Sequence, residues 1–385
     1  MVNSNNISFT GYDARQLKGV LFRSGFPGDK KFVDFVNEVA GIVNRANVDV
    51  YVQSDKGIHK NGLTGLDQTM SLFSPYAQDR IVFLPNKKIM AEDLCPGNKG
   101  FDLLRSFFKL PFAETKTHIE GGNFFFVKDG QRDVVVIGKD EKYLKSQEEL
   151  KSVFGNKALY FVSQPDYHID LSIRPLNKKR ILVHSPEMML KAIEKGIQNA
   201  AEIYSKTKDA EIGEVLSKLK SLYQNTNLAQ EQYNLKNKYN DLYKELRYSK
   251  GCKFEVIKVP GIVESPGLGY VPRSNSKDSI ALLSGGNIKY HLNYINALAF
   301  EKPDGSLVYL ANKSNLDEML GITPEIEQKI GFSFEKMFRD SLKGIVKEED
   351  IHFVGENNNF LQNLLQNNDA GIHCLLSEIP VYNNW

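Results

Sequence analysis

The sequence is poor in cysteine and has no long apolar run. Its 385 residues include three cysteines, Cys95, Cys252 and Cys374, and no CxxC pair. An odd number of widely spaced cysteines excludes a disulfide-stabilised scaffold and a cysteine-rich zinc site. No apolar run approaches the roughly 18 residues of a membrane-spanning helix, so the sequence predicts none. A reactive site is therefore expected to use carboxylates, histidines and at most one thiol.

Net charge is also nearly absent, because 49 Lys and Arg balance 47 Asp and Glu to give +2. Such a balance gives no reason to expect nucleic acid or a membrane surface as a partner. The polar N-terminus, MVNSNNISFTGYDARQ, lacks the apolar segment of a secretory signal, so a cytoplasmic location is expected. Hydrophobic residues make up 41% of the chain, which is typical of a folded protein.

The first 180 residues alternate short strand-like runs with amphipathic helical stretches at 29–46 and 100–109. The strand candidates are rich in Val, Ile and Phe and are bounded by turn residues. They are 48–53, 80–85, 123–127, 133–138, 158–162, 168–175 and 180–184. This alternation predicts an α/β fold.

Residues 185–250 have a different character, rich in Lys, Glu, Leu and Ala. Apolar residues at Leu235, Tyr239, Leu242 and Leu246 recur at helical spacing. The pattern predicts two or three helices with a break near 225–227. The stripe is too short for a sustained coiled coil, so we interpret 187–250 as a solvated insertion that packs on one face. A surface insertion of this kind is expected to be removable without unfolding the core.

Strand-like texture returns after residue 250, and a helical stretch follows at 324–343. The further strand candidates are 254–259, 279–283, 288–294, 297–301, 306–311 and 352–354, and a last helix is predicted around 360–367. The tripeptide Gly-Gly-Asn occurs at 121–123 and 285–287, each time before an apolar alternating run. Two such copies are compatible with a repeat of ββαβ units.

Three short segments carry residues suited to chemistry. In THIEGGN, at 117–123, two glycines after Glu120 allow a tight, left-handed turn that would place the carboxylate at the mouth of a strand. Alone, this pattern fits an ordinary β-turn with an exposed glutamate better. In YHIDLSIRP, His168 and Asp170 would share one face of a strand, which suits general acid–base work. A pair of metal ligands or a surface ion pair fits those two residues equally well.

The third segment, DAGIHC at 369–374, places Cys374 after a small turn. A single cysteine in a chain too cysteine-poor for disulfides is a candidate nucleophile. The alternative is a buried inert thiol. Cys95 and Cys252 lie in no acid–base motif and are interpreted as structural.

Together these segments, in the order Glu-Gly-Gly, His-x-Asp and His-Cys, resemble the guanidinium-modifying (pentein) superfamily. Agmatine deiminases and peptidylarginine deiminases are the members they resemble most. The segment YAQDR at 76–80 is similar to a family segment whose aspartate binds the guanidinium, which indicates Asp79, with Asp67 as a rival. The family's glycine-rich run before its cysteine is here NNDAG, so this loop differs.

The resemblance implies an α/β fold in which a five-bladed propeller of ββαβ units forms a single catalytic domain over 1–385. It implies that Cys374 attacks the guanidinium carbon, that His168 is the general acid and base, and that Glu120 orients His168. Asp79 and Asp170 would clamp the cation, and Arg174 would also bind substrate. No metal or cofactor is implied.

The implied reaction is a hydrolytic deimination with a small guanidinium compound or a protein arginine side chain as partner. An amidinotransferase of the same fold stays open as an alternative, as does a noncatalytic pentein that binds macromolecules. A noncatalytic pentein would be expected to lack the cysteine and the His–Asp pair. The sequence leaves open which guanidinium compound is the substrate and whether the chain forms a homo-oligomer.

Overall fold

The computed structural model describes the chain in thirteen segments. They are residues 15–23, 30–54, 57–60, 76–91, 99–129, 132–165, 168–177, 179–224, 226–248, 254–261, 292–313, 316–355 and 371–382. Within them, no helix is long and apolar enough to cross a membrane. The predicted strand 279–283, most of 288–294 and the helix at 360–367 lie outside these segments.

The two ends of the chain share one sheet, with the strand order β15-β1-β2-β3. Its elements are β1 (Leu17–Arg23), α1 (Lys30–Val43), β2 (Asp49–Ser54), β3 (Gly57–Lys60) and β15 (Leu376–Pro380). β15 is antiparallel to β1, whereas β2 is parallel to it and follows the crossover helix α1. A parallel neighbour requires such a crossover, because a tight turn joins only antiparallel strands.

The same order of elements recurs in three further sheets. They are β6 (Phe124–Asp129), β7 (Arg132–Gly138) and β8 (Ala158–Val162); β9 (Ile173–Pro175), β10 (Arg180–His184) and β11 (Glu255–Val259); and β12 (Leu298–Glu301), β13 (Leu307–Asn312) and β14 (Ile351–Val354). In each sheet the first two strands are antiparallel, and helices then lead to a third strand parallel to the second. The alternation of strands and helices thus forms a mixed α/β fold, as predicted.

The smallest sheet contains β4 (Ile81–Phe83) and β5 (Ile89–Ala91), which are antiparallel. The helix α2 (Ala77–Arg80) precedes it, and α3 (Lys99–Phe108) follows. After α3, Phe112 forms a parallel bridge with Ile89 of β5. This sheet therefore follows the same β-β-α-β order with a minimal last strand.

The remaining helices lie in the crossovers and before β15. They are α4 (Glu141–Lys145) and α5 (Gln147–Val153); α6 (Pro186–Thr207), α7 (Ala210–Tyr223) and α8 (Thr226–Tyr248); α9 (Leu316–Leu320), α10 (Pro324–Ile330) and α11 (Phe334–Ser341); and α12 (Ile372–Leu375). The helical stretch predicted at 324–343 is confirmed, but as two helices. It is divided between α10 and α11 because Gly331 has a φ of 63°, and Ser333 caps the second helix through the Lys336 N–H.

The strand predicted at 168–175 is also wrong over its first half. Residues Ile169–Leu171 form a 3-10 turn, with the Leu171 and Ser172 N–H groups donating to the His168 and Ile169 carbonyls. Only Ile173–Pro175 pair with β10. A turn, and not a strand, therefore sets the positions of His168 and Asp170.

Three helices, α6 to α8, form the crossover between β10 and β11, and the break predicted near 225–227 is confirmed. Ser185 caps α6 through the Met188 N–H, and Asp209 caps α7 through the Glu211 and Ile212 N–H groups. Lys208, with a left-handed backbone, ends α6.

The helices α6 to α8 pack one face into the core, as expected for a segment that packs on one face, and the interpretation of 187–250 as an insertion stays a prediction. Buried Met189, Ile193 and Leu219 belong to the same apolar cluster as Phe332 and Phe334. A Cβ on Gly196 would lie 2.6 Å from the Phe332 ring, so the helix packs closely there.

The helix α8 packs on a second apolar cluster. Its Tyr239, Leu242 and Leu246 belong to the same buried cluster as Phe125 of β6 and Ile169 of the 3-10 turn. The apolar stripe in the sequence thus predicted the buried face of α8 correctly. It did not show that this face covers other parts of the core.

Candidate active site

Cys374 lies in α12, immediately before β15, and is 2% exposed. Two buried asparagines hold the backbone around it. The Ile372 N–H donates to Asn312 Oδ1 at 2.9 Å, and the Cys374 N–H donates to Asn296 Oδ1 at 3.3 Å. A Cβ on Gly371 would lie 2.6 Å from each of these asparagine side chains, so only glycine fits. The glycine of the cysteine motif therefore makes room for the groups that orient the loop.

The thiol of Cys374 lies among polar groups. Its Sγ is 3.1 Å from Asn296 Nδ2 and 3.7 Å from Asp170 Oδ2. Burial raises the pKa of the Cys374 thiol well above its ordinary value, and Asp170 and Asp79 raise it further, while the Asn296 hydrogen bond opposes them. Without a bound cation the group is therefore a thiol, the less nucleophilic form.

Asp170 lies in the 3-10 turn and is 1% exposed. Its Oδ2 accepts hydrogen bonds from Asn296 Nδ2 at 3.0 Å and from His373 Nδ1 at 2.8 Å. Its Oδ1 is buried and has no hydrogen-bond partner among the described residues. Hydrogen bonds thus fix Oδ2, the oxygen near the thiol, while Oδ1 is a desolvated acceptor.

His168 is buried between two carboxylates. Its Nδ1 is 3.6 Å from Asp79 Oδ1, and its Nε2 is 3.5 Å from Glu120 Oε2. Burial acts to lower the pKa of His168, but Asp79, Glu120 and Asp170 outweigh it and raise the pKa to about 9. The imidazole is therefore protonated at neutral pH and available as a general acid.

The pKa values of the two carboxylates beside His168 are shifted in opposite directions. The hydrogen bond to His168 holds the pKa of Glu120 well below its ordinary value, with Lys142, whose Nζ lies 3.1 Å from Glu120 Oε2, acting in the same direction. Burial raises the pKa of Asp79, with His168 opposing and Asp170 adding to the rise. A positive charge placed between Asp79 and Asp170 would relieve their repulsion.

The glycines of the Glu-Gly-Gly motif provide space for close packing. Gly121 and Gly122 begin a 3-10 turn, and neither has a positive φ, so the expected left-handed turn is wrong. A Cβ on Gly122 would lie 2.6 Å from His168 Nδ1 and 3.0 Å from Asp79 Oδ1. The Gly122 N–H also donates to Asp79 Oδ1 at 3.1 Å. A side chain there would separate the two residues that the turn brings together.

Arg174, expected to bind substrate, is fully buried, and its guanidinium forms an ion pair with Glu378 of β15. It also lies 5.7 Å from the centre of the Phe125 ring. This position favours a role in anchoring the strand that follows Cys374 over contact with substrate.

Sequence reasoning assigned no role to Asn296, His373 or Lys142. His373 was part of the cysteine motif, but its contact with Asp170 spans 203 residues of sequence. Asn296 is marked by no motif beyond its position just before β12, and Lys142 resembles any lysine on a charged helix. Asp67, Cys95 and Cys252 lie outside the described residues.

The comparisons with known proteins concern structure alone. No protein-family model and no curated protein matches the chain. Among solved structures, agmatine deiminase from C. jejuni is similar with a TM-score of 0.51 at 13% identity, covering 98% of this chain and 99% of that one. The chain has a pentein-type fold. The resemblance inferred from the motifs is thus confirmed for the fold.

Two further solved structures are similar at lower scores. A putative peptidyl-arginine deiminase has a TM-score of 0.49 at 14% identity, covering 96% of this chain and 97% of that one. A dimethylarginine dimethylaminohydrolase has a TM-score of 0.39 at 9% identity, covering 94% and 100%. In this chain, Asp79, Glu120, His168, Asp170 and Cys374 come from four separate sequence segments and interact in one largely buried cluster.

Proposed function

We propose that this protein is a hydrolase that acts on a guanidinium group and releases ammonia and a ureido product. The observation that carries the proposal is the buried carboxylate of Asp170, whose Oδ2 lies 3.7 Å from the Cys374 sulfur and whose Oδ1 has no hydrogen-bond partner among the described residues. A second carboxylate, that of the half-buried Asp79, interacts electrostatically with both groups. A guanidinium is a planar cation with N–H donors on several edges, so it matches two carboxylates that face an attacking sulfur.

The charges of the site explain how substrate would activate the thiol. The same carboxylates that attract a cation keep the pKa of Cys374 high in its absence. A guanidinium bound between Asp79 and Asp170 offsets their charge and lowers the thiol pKa, so the proton leaves as substrate binds. The Cys374 thiolate therefore forms only when a guanidinium is bound.

The thiolate of Cys374 would add to the guanidinium carbon, forming a C–S bond and a tetrahedral adduct. The C–N bond then breaks as His168, held protonated by Asp79 and Glu120, gives its proton to the departing ammonia. This leaves an S-alkylthiouronium. Neutral His168 next takes a proton from water, which attacks the same carbon. The C–S bond of this adduct then breaks as its hydroxyl proton is released to solvent, which yields the ureido product and the thiolate.

The sheets support the architecture that the resemblance implies. We propose that the β-β-α-β units close as a five-bladed propeller forming one catalytic domain, because β15, which follows Cys374, pairs with β1 at the other end of the chain. The substrate is proposed to be agmatine, arginine or a peptidyl arginine, which share the same headgroup. The solved structure similar to this chain at a TM-score of 0.51 is named an agmatine deiminase.

The test is a substrate panel of agmatine, arginine, methylated arginine and an arginine peptide, scored for ammonia release and ureido product. We expect at least one member to be turned over, and Cys374→Ala to abolish that turnover while the protein stays folded. Cys95→Ala and Cys252→Ala are the matched controls and are expected to remain active. Amidino transfer to an added amine without ureido product would favour the amidinotransferase. Inactivity toward the whole panel would reject the proposal.

A further inference from the structure

Asn296 is a buried residue, 0% exposed, whose side chain contacts the sulfur of the proposed nucleophile. It lies in the turn before β12, 78 residues away from Cys374 along the chain. The residues of the proposed mechanism come from other segments, so the Asn296 contact is separate from the motifs.

The hydrogen bonds of the Asn296 amide are satisfied in one orientation. Its Nδ2 donates to Asp170 Oδ2 at 3.0 Å and lies 3.1 Å from Cys374 Sγ, while its Oδ1 accepts the Cys374 N–H at 3.3 Å. A carboxylate only accepts and a backbone N–H only donates, so these two partners determine which end of the amide faces the sulfur. The end that faces Sγ is the N–H donor.

A donor at this position acts differently on the two forms of the sulfur. A thiolate accepts a strong, charge-assisted hydrogen bond, whereas a neutral thiol is a weak acceptor. Asp170 and Asp79 are carboxylates near the sulfur that oppose the thiolate, whereas the Asn296 amide and, to a smaller extent, a hydrogen bond from the Gly371 backbone favour it. The Asn296 amide therefore stabilises the thiolate in surroundings that otherwise disfavour it.

We propose that Asn296 is a catalytic residue whose amide N–H stabilises the Cys374 thiolate, both when it forms to attack and when it leaves the thiouronium. This inference rests on the proposed function for its place in the reaction. The sulfur contact itself predicts a property of the free protein that needs no substrate to be measured.

The experiment compares the alkylation of Cys374 by iodoacetamide in the wild type, Asn296→Ala and Asn312→Ala, read on the Cys374 peptide by mass spectrometry from pH 7 to 10. Below the thiol pKa, the rate is proportional to the thiolate fraction. We expect Asn296→Ala to react about tenfold or more slowly at each pH, which corresponds to a rise of about one unit in the thiol pKa.

Asn312→Ala is the matched control. Asn312 is equally buried and binds the Ile372 N–H of the same loop, but its amide donates to the Asn293 and Asn296 carbonyls instead of the sulfur. We expect its alkylation rate to stay close to that of the wild type. An equal decrease in the alkylation rate of both variants would show that Asn296 only supports the loop, and would overturn the proposal. An unchanged rate in Asn296→Ala would also overturn it.

Circular dichroism establishes that each variant is folded, and the smaller change Asn296→Ser replaces Asn296→Ala if the latter does not fold. The same decrease is expected for serine, because its short side chain does not reach the sulfur and Asp170 together. Failure of the substrate panel would reject the proposed function without altering the alkylation result. An unchanged alkylation rate with active wild-type protein would reject the role of Asn296 alone.

Discussion

Asp170 connects most of the site at the scale of single residues. Its Oδ2 is bound by Asn296 and His373, and its Oδ1 faces the site without a partner in the described part of the chain. The charge of Asp170 therefore has two opposite consequences. It attracts a cationic substrate, and it raises the pKa of the Cys374 thiol when no substrate is bound.

These consequences predict a separation of two rates in Asp170→Asn. Removing the negative charge lowers the thiol pKa, so alkylation of Cys374 in the free protein is expected to accelerate. Turnover of a guanidinium substrate is expected to fall by roughly two orders of magnitude or more, with a higher KM, because a buried charged partner is lost. Iodoacetamide kinetics and steady-state assays measure the two effects. Slower alkylation together with slower turnover would indicate a misfolded site instead.

His168 and Glu120 predict the alkaline limit of activity. His168 gives a proton to the leaving ammonia, so activity is expected to fall as the pH rises through its pKa of about 9. Glu120 is one of the groups that raise this pKa. In Glu120→Gln the raising effect is weaker, so the alkaline limb of kcat should move to lower pH. A pH–rate profile measures the shift, and an identical limb in the variant would contradict the assignment of His168 as the acid.

At the scale of elements, the helices α6 to α8 complete the core around the site. Tyr239 of α8 lies with its hydroxyl 3.3 Å from the Ser172 hydroxyl, next to the turn that carries Asp170. Tyr243 donates to the His184 carbonyl at the end of β10. The helix thus contacts the Ser172 side chain just before β9 and the backbone at the end of β10.

Replacing residues 188–247 with a short Gly/Ser linker is therefore expected to unfold the protein, contrary to the interpretation from composition. The deletion would expose the apolar faces that Leu242 and Leu246 cover, and each buried leucine contributes about 1.5–3 kcal/mol. Circular dichroism and thermal melting measure the outcome. A deleted protein that melts cooperatively at the wild-type temperature would show that the helices are an appendage after all.

At the scale of the whole molecule, buried histidines link stability to pH. His184, at the end of β10, is fully buried, and this burial lowers its pKa to about 3, with a Leu171 carbonyl opposing the effect. In the unfolded chain its pKa is about 6.5. Protons therefore bind the unfolded state more tightly, so stability is complete above pH 6.5 and decreases as the pH falls toward 3.

His184→Gln is expected to reduce the dependence of the unfolding free energy on pH between 6.5 and 4.5. The wild type should lose about 1.4 kcal/mol per pH unit more than the variant in this interval. Urea unfolding at several pH values gives the slopes, which are compared instead of the absolute stabilities. The half-exposed His118 offers the control His118→Gln, because its ring already reaches solvent. Parallel slopes in wild type and His184→Gln would contradict the prediction.

Local patterns were sufficient for much of the fold. The strands predicted at 158–162 and 180–184 match β8 and β10, and the alternation of strands and helices indicated the α/β class. Strand periodicity, turn residues and helix caps depend on a few neighbouring residues, so they can be recognised in the sequence. The motifs also drew attention to Glu120, His168, Asp170 and Cys374, and the structure brings these residues together.

The sequence by itself thus determined the element types, the reactive residue types and their order along the chain. Only the tertiary structure decided that α6 to α8 pack into the core, that Arg174 forms an ion pair with Glu378, and that the Asn296 amide contacts the sulfur of Cys374. These relations join residues 78 to 204 positions apart. Burial and hydrogen bonding depend on distances in space, and no local pattern specifies which distant segments will meet.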